Sequence, residues 1–298
     1  MKPYLDLLER VYTTGKDSKN IRTGEVTRRL LGQHAVYDLT QGFPVVTTKF
    51  LAVKSCIGEM IGFMRGYDNA ADFRALGCQV WNANANENEQ WLKNPYRKGT
   101  DDLGRIYGVQ ARNWRVPSPV LNETYGIYPL LKVDQVKNLL DKLRAYNDDR
   151  RLIVSHWNPA ELNMGALPPC HLLYQCSIDE DELFMSLYIR SNDLFLGNPF
   201  NTAGYAWLTY FLAHMSGLKL GGLSIYMHDA HIYHNHFEAV ETQLSRKDQK
   251  YPLPIMRHEG VELSSDMCFH STIHAMRPEH FILDGYSYHP SIKAPMAV

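Results

Sequence analysis

The residues best equipped for chemistry fall in three short runs: Leu167-Pro-Pro-Cys170-His171, Arg190-Ser-Asn-Asp193 and Pro199-Phe-Asn201. They offer a thiol, a guanidinium and a side-chain amide, equipment for attacking a planar heterocycle that carries a phosphate. Two prolines fix the backbone ahead of Cys170 and can hold its side chain at a defined angle. Free cysteines are also common core residues, so local sequence leaves both readings open. A nucleophilic thiolate needs a nearby cation or helix N-terminus. Arg22, Arg150, Arg151 and Arg190 all fall at loop or strand ends. The pair Arg150 and Arg151 suits a solvated strand edge, and equally a phosphate clamp, because guanidinium forks match phosphate oxygens. Glu59 stands among apolar neighbours in a helical pattern. It is either an exposed-face glutamate or a buried acid, whose burial is costly unless a site uses it.

Periodicity predicts the elements that must position these groups. Leu5, Leu8 and Val11 recur at helical spacing over residues 3–13. Residues 31–39 read as a short strand, and 43–48 as a strand ending in a loop that carries Lys49. A helix over 51–65 puts Ile57, Met60, Ile61 and Met64 on one side. Residues 134–146 form an amphipathic helix and 152–155 a short buried strand. Strands over 171–176 and 183–189 are joined across an acidic turn. An apolar helix over 205–218 is central, and 223–227 and 281–283 are strands. Residues 82–100, rich in Asn, Glu, Gly and Lys, read as a small polar insertion lobe, partly helical or loose. The expectation is a single α+β catalytic domain spanning residues 1–298.

Composition bounds the alternatives. The chain has 298 residues, 45% of them apolar, ample for one large core. Formal net charge is -1, from 31 basic and 32 acidic residues, which speaks against a nucleic-acid groove or a membrane patch. The five cysteines make no disulfide framework, so a reducing, cytoplasmic compartment is expected. The N-terminus lacks the apolar run of a signal peptide, and no apolar segment reaches the length of a membrane span.

From Arg22-Thr-Gly24 through Phe43-Pro-Val-Val-Thr-Thr-Lys49, Asp149-Arg-Arg151, Pro168-Pro-Cys-His171, Arg190-Ser-Asn-Asp193, Leu196-Gly197 and Pro199-Phe-Asn201, the chain resembles the thymidylate synthases and their sister pyrimidine-nucleotide hydroxymethylases. The likeness continues through Asp229-Ala-His-Ile-Tyr233 to Lys293-Ala-Pro-Met-Ala-Val298. It implies a thymidylate-synthase-like fold, a mixed sheet with a long central helix and surrounding helices. Cys170 would match the nucleophile that adds to C6 of the pyrimidine. Arg22, Arg190 and Ser191 would hold the 5'-phosphate, joined by Arg150 and Arg151 from the other subunit of a homodimer. Asn201 would read uracil rather than cytosine, although an asparagine there also suits a helix cap. His231 and Tyr233 would bond the sugar 3'-hydroxyl. Glu59 would organise water and shuttle protons, and Tyr107, His171 and Gln175 would line the site.

The cosubstrate implied is 5,10-methylenetetrahydrofolate, with no metal. Asp193 would bond its pterin. Val80, Trp81, Leu167, Leu196, Gly197 and Phe200 would form its apolar wall, and Lys49 would meet its tail. Ala297 and its terminal neighbours would close over the complex and exclude water. His228, His231, His234 and His236 alternate like metal ligands, but fit better a strand and its following turn.

Several positions depart from the synthase pattern: Gly62 for a tryptophan, Asn82 for an aspartate, Arg105 for a proline, Ala111 for a tryptophan, Gly204 for a serine and His228 for a glycine. Two lost indoles would leave cavities if nothing compensated. Smaller, more polar surroundings suit capture of the exocyclic methylene by water, so the expected product is 5-hydroxymethyl-dUMP. The alternative is a synthase forming dTMP and dihydrofolate, with a merely repacked core. A non-catalytic nucleotide- or RNA-binding paralogue is the remaining class; the full set of Cys170, Glu59, Asn201 and four arginines argues against it.

Overall fold

The computed structural model describes residues 1–19, 24–122, 124–146 and 148–295. The strands are β1 (Lys16–Lys19), β2 (Val26–Asp38), β3 (Trp114–Pro117), β4 (Leu130–Val133), β5 (Ile153–Ser155), β6 (His171–Asp179), β7 (Glu182–Asp193), β8 (Lys219–Tyr233), β9 (Ile255–His258) and β10 (Phe281–Asp284). The helices are α1 (Lys2–Thr14), α2 (Val53–Arg65), α3 (Ala70–Arg74), α4 (Asn82–Asn86), α5 (Glu89–Leu92), α6 (Tyr107–Arg112), α7 (Gln135–Arg144), α8 (Gly197–Ser216), α9 (Phe237–Leu244) and α10 (Phe269–Ala275).

Six strands form one mixed sheet in the order β1-β2-β8-β7-β6-β5. Among the described residues only β7 and β8 pair in parallel, and α8 is the crossover between them. Helix α8 is buried on every side, as a helix apolar all round must be. Two of its hydroxyls are satisfied by back-bonding: Thr209 Oγ1 donates to Tyr205 O at 2.8 Å and Ser216 Oγ to Leu212 O at 2.6 Å. Gly217, at φ 75, supplies its left-handed cap. Leu183, Met185, Leu187 and Ile189 of β7 and Leu223, Ile225 and Met227 of β8 alternate inward against this layer. Their neighbours Phe184, Tyr188 and Tyr226 alternate outward and stay exposed, together with Val36 and Ile153.

The register gathers the polar motifs at one end. Ser191 pairs with Asp229 and Asp193 with His231 at the carboxyl ends of the parallel pair, where ligands of such pairs are commonly held. Strand β6 begins at His171, opposite Ile189. The Arg190 N–H then donates to Cys170 O at 2.9 Å.

Three expectations change. The central helix begins at Gly197, not near 205, because Gly197 and Pro199 break the helical pattern yet are tolerated in a first turn. Residues 43–48 are not a strand; they are buried coil, anchored where Phe43 N–H donates to Pro254 O at 2.8 Å. Strand β2 is longer than residues 31–39, because it pairs with β8 from Thr27 to Asp38. The lobe over 82–100 carries α4 and α5. Its asparagines make caps and side-chain-to-backbone bonds: Asn88 Oδ1 accepts from Gln90 and Trp91 N–H, and Asn88 Nδ2 donates to Ala166 O at 2.9 Å. Trp91 is buried, its Nε1–H bonded to Asp102 O at 2.6 Å.

Candidate active site

Two cavities meet at Cys170. One, of about 560 Å³, is lined by Lys49, Glu59, Tyr107, His171, Asn201 and the apolar wall Val80, Trp81, Leu167, Leu196, Gly197 and Phe200. The other, of about 660 Å³, is lined by Arg190, Ser191, Asp193, His231 and Tyr233, with Trp157 and Asn88 and Asn94 of the lobe. Leu167, Cys170, Ser191 and Asp193 face both.

The cysteine loop is held from three sides. The Cys170 N–H donates to the Tyr107 hydroxyl at 2.7 Å. Arg190 spends Nε on Pro169 O at 2.8 Å and Nη2 on Pro168 O at 3.0 Å. His156 Nδ1–H donates to His171 O at 3.1 Å. Tyr107 therefore comes from α6, Arg190 from β7 and His156 from just beyond β5, so three elements fix the thiol.

Burial sets the charge states around it. Glu59 lies on the inner face of α2 with Trp81 Nε1–H donating to Oε1 at 3.0 Å. Burial pushes its carboxyl up to about 8, against the pull of that hydrogen bond. The exposed-face reading of Glu59 is thereby excluded. Burial pulls His171 down to about 3, helped by neighbouring His156 and opposed by the bond from Asn201. His156 falls to about 4, also through burial. Burial, and next the proximity of Cys170, raise Tyr107 well above the usual phenol range. A protonated acid, a protonated phenol and neutral imidazoles thus surround the thiol at pH 7.

Most of the residues singled out in the sequence converge here. Lys49 lines the apolar cavity but turns inward: Nζ donates to Phe195 O at 2.6 Å and stands 3.4 Å from the centre of that ring. Burial draws it down to about 7. Its Nζ is thus bonded within the protein at the wall of that cavity. Gln175 lies on the outward sheet face, donating to Arg150 O at 2.9 Å, and lines neither cavity. Arg150 and Arg151 are exposed at the edge beside β5 and likewise line neither. Arg22 and Ala297 lie outside the described residues. The histidine series is a strand and its turn: His231 Nδ1 pairs with Asp229 at 3.1 Å, and His236 Nε2–H donates to Pro295 O at 2.6 Å. Sequence reasoning missed Asn84 and Trp157, which line the two cavities. Asn84 lay hidden in a run of lobe asparagines; Trp157 had a visible signal, an indole just after a buried strand.

The departures from the synthase pattern sit elsewhere. Asn82 accepts from Arg74 Nη1 at 2.9 Å. Arg105 is buried in an ion pair with Glu161, Nε to Oε2 2.6 Å. A Cβ on Gly62 would stand 2.3 Å from Phe73 Cε1, so the Phe73 ring fills the room of the missing indole. A Cβ on Gly204 would meet Met60 Sδ at 3.3 Å. Ala111 is fully buried and His228 is exposed on the outer sheet face. None of the six lines either cavity.

The thymidylate synthase family model matches residues 2–298. The chain belongs to the thymidylate synthase family. It is 40% identical to the thymidylate synthases of Bordetella parapertussis and Pseudomonas syringae pv. tomato, and 41% identical to that of Pseudomonas putida, covering all of this chain and all of each relative. It is thus a transferase of this family, and its α+β fold with a mixed sheet is the family's fold.

Proposed function

We propose that this chain is a dTMP-forming synthase, transferring the one-carbon unit of 5,10-methylenetetrahydrofolate to C5 of dUMP. The observation that carries this reading is the position of the departures: Asn82 and Arg105 are spent on Arg74 and Glu161, and Phe73 and Met60 fill the space beside Gly62 and Gly204, away from the cavities. The name thymidylate synthase carried by the full-length relatives supports it. The hydroxymethylating outcome loses the support it drew from Gly62, Asn82, Arg105 and Gly204.

In this reading Cys170 Sγ adds to C6 of the uracil ring, which makes C5 the nucleophile, and the thiolate is expelled when the product forms. Asn201, bonded to His171, presents its amide to O4 and N3–H of the base. Neutral Glu59, at about 8, holds a proton near that edge and hands it on through water. Arg190 and Ser191 hold the phosphate, with His231 and Tyr233 on the sugar. The apolar wall around Trp81 and Phe200, with Asp193 as its polar group, fits a flat pterin, and 560 Å³ lies within the range of small-ligand sites. The bound folate supplies the carbon and the hydride. Asn84, an amide in an otherwise apolar wall, gives that cosubstrate a second polar contact.

A homodimer completes the phosphate site in this proposal. Its support is the exposed outer sheet face, where Phe184, Tyr188, Tyr226, Val36 and Ile153 form an apolar surface next to Arg150 and Arg151. Mass spectrometry of the product from dUMP and methylenetetrahydrofolate tests the reaction. A methylated nucleotide with one dihydrofolate per turnover is expected. A 5-hydroxymethyl product with tetrahydrofolate overturns the reading, and faster turnover of dCMP overturns the role of Asn201.

A further inference from the structure

A buried charged cluster lies behind the cysteine loop, outside both cavities. Glu161 sits on the 3-10 turn Pro159–Met164, which leads through residues 165–169 to Cys170. Its Oε2 accepts from Arg105 Nε at 2.6 Å, from Gln110 Nε2 at 3.0 Å and from Asn158 Nδ2 at 3.2 Å. Arg105 Nη2 donates onward to Asn113 O at 2.7 Å, just past the end of α6. Both charged side chains are about nine-tenths buried. Such a cluster is expensive to bury, and is retained where it fixes one arrangement among several.

The arrangement it fixes is specific. Gln110 stands three residues after Tyr107 on α6, so the two share a helix face. Tyr107 in turn accepts the Cys170 N–H. Backbone bonds run alongside: Arg105 N–H donates to Met164 O at 2.8 Å and Ala166 N–H to Leu103 O at 2.9 Å. We infer that Glu161, held by Arg105, is a positioning residue that locks α6 to the cysteine turn through Gln110 and so sets the Tyr107 hydroxyl against Cys170. Polar anchoring of both ends of the loop keeps the thiol at one approach angle. A misplacement of about 1 Å at a reacting group can cost about 100-fold in rate. Its functional consequence rests on the reading of Cys170 as the nucleophile.

The test cuts the tie from either side, with Glu161→Leu and Gln110→Met, each alone and combined with Tyr107→Phe. Two rates are measured on the full-length protein: turnover of dUMP, and alkylation of Cys170 by iodoacetamide followed by mass spectrometry. Each cut alone is expected to lower kcat about 10-fold or more, with KM for the nucleotide within about 3-fold, and to change the alkylation rate. In the Tyr107→Phe background the same cuts should add almost nothing, because the tie acts through that hydroxyl. Losses that multiply in the Tyr107→Phe background, or unchanged kcat and alkylation in folded single variants, overturn the inference. If Glu161→Leu does not fold, Gln110→Met leaves the ion pair intact and carries the same comparison. If the protein does not turn over dUMP at all, the proposed reaction fails, while the alkylation rates still decide the tie.

Discussion

At the scale of single residues, Glu59 carries the clearest electrostatic signature. Its carboxyl titrates at about 8 in the fold and, unfolded, in the ordinary range near 4.5. Between these values the folded state holds a proton that the unfolded state has lost. Stability from this group is therefore fully present below about 4.5 and is lost as pH rises towards 8. The neutral imidazoles work the other way: His156 and His171 make stability rise with pH up to about 6.5. Subtracting the profile of Glu59→Gln from that of the wild type isolates the glutamate. Denaturant unfolding should show the difference falling by about 1.4 kcal/mol per pH unit across the window, and flat above it. A difference that rises with pH would mean that Glu59 is ionised in the fold. Turnover should decline above pH 8 for the same reason, as the acid loses its proton. Glu59 shows also what one residue's sequence context cannot say. Its burial comes from α8 and Trp81, neither of which is adjacent to it in the chain.

At the scale of elements, the glycine at position 62 and the phenylalanine at position 73 form a matched pair across α2 and α3. The close approach of the Phe73 ring leaves no room for a side chain on Gly62. Gly62→Ala is expected to destabilise by about 1–3 kcal/mol through overpacking. Adding Phe73→Leu should recover part of that loss, read as a shift in the urea midpoint. Equal loss in the single and double variants would show that the two side chains do not compete for space. The lobe makes the same point about pattern and packing. Its polar composition resembles a solvent-exposed insertion, yet its asparagines serve as caps that hold a buried indole and reach the cysteine turn. Composition reports polarity, and cannot tell a polar group bonded to water from one bonded to backbone. The amphipathic helices α1, α2 and α7 were legible because their apolar stripes repeat every three to four residues. The short helices α3 and α6 were not, since one or two turns leave too few repeats to form a stripe.

At the scale of the whole molecule, the proposed second copy of the chain would cover the apolar outer sheet face beside the exposed pair Arg150 and Arg151. The proposed dimer shares its sites, which makes a complementation result decisive. Cys170→Ala and Arg151→Ala chains, each expected to be weakly active alone, should regain activity when unfolded together and refolded as a mixture. Hybrid dimers then hold one site with both an intact thiol and an intact arginine from across the interface. Mixtures no more active than their parts would remove Arg151 from the shared site. Sedimentation should give the mass of two chains, and a fully active monomer would contradict the arrangement.

The sequence by itself determined the family, because a thiol, arginines and an amide stand in it within fixed short motifs. It determined too the long helices and the alternating strands, whose periods follow from backbone geometry. Tertiary structure decided what periodicity cannot carry: that Glu59 is a neutral acid, that Lys49 turns inward and that Gln175 faces away. It decided as well that Asn82 and Arg105 are bonded to Arg74 and Glu161, and that Phe73 and Met60 close in on Gly62 and Gly204. A change of residue type announces a change of volume or polarity, but whether that change reaches the reacting atoms depends on which side chain moves in to meet it. Phe73 and Glu161, the side chains that met two of these changes, lie 11 and 56 residues away in the chain.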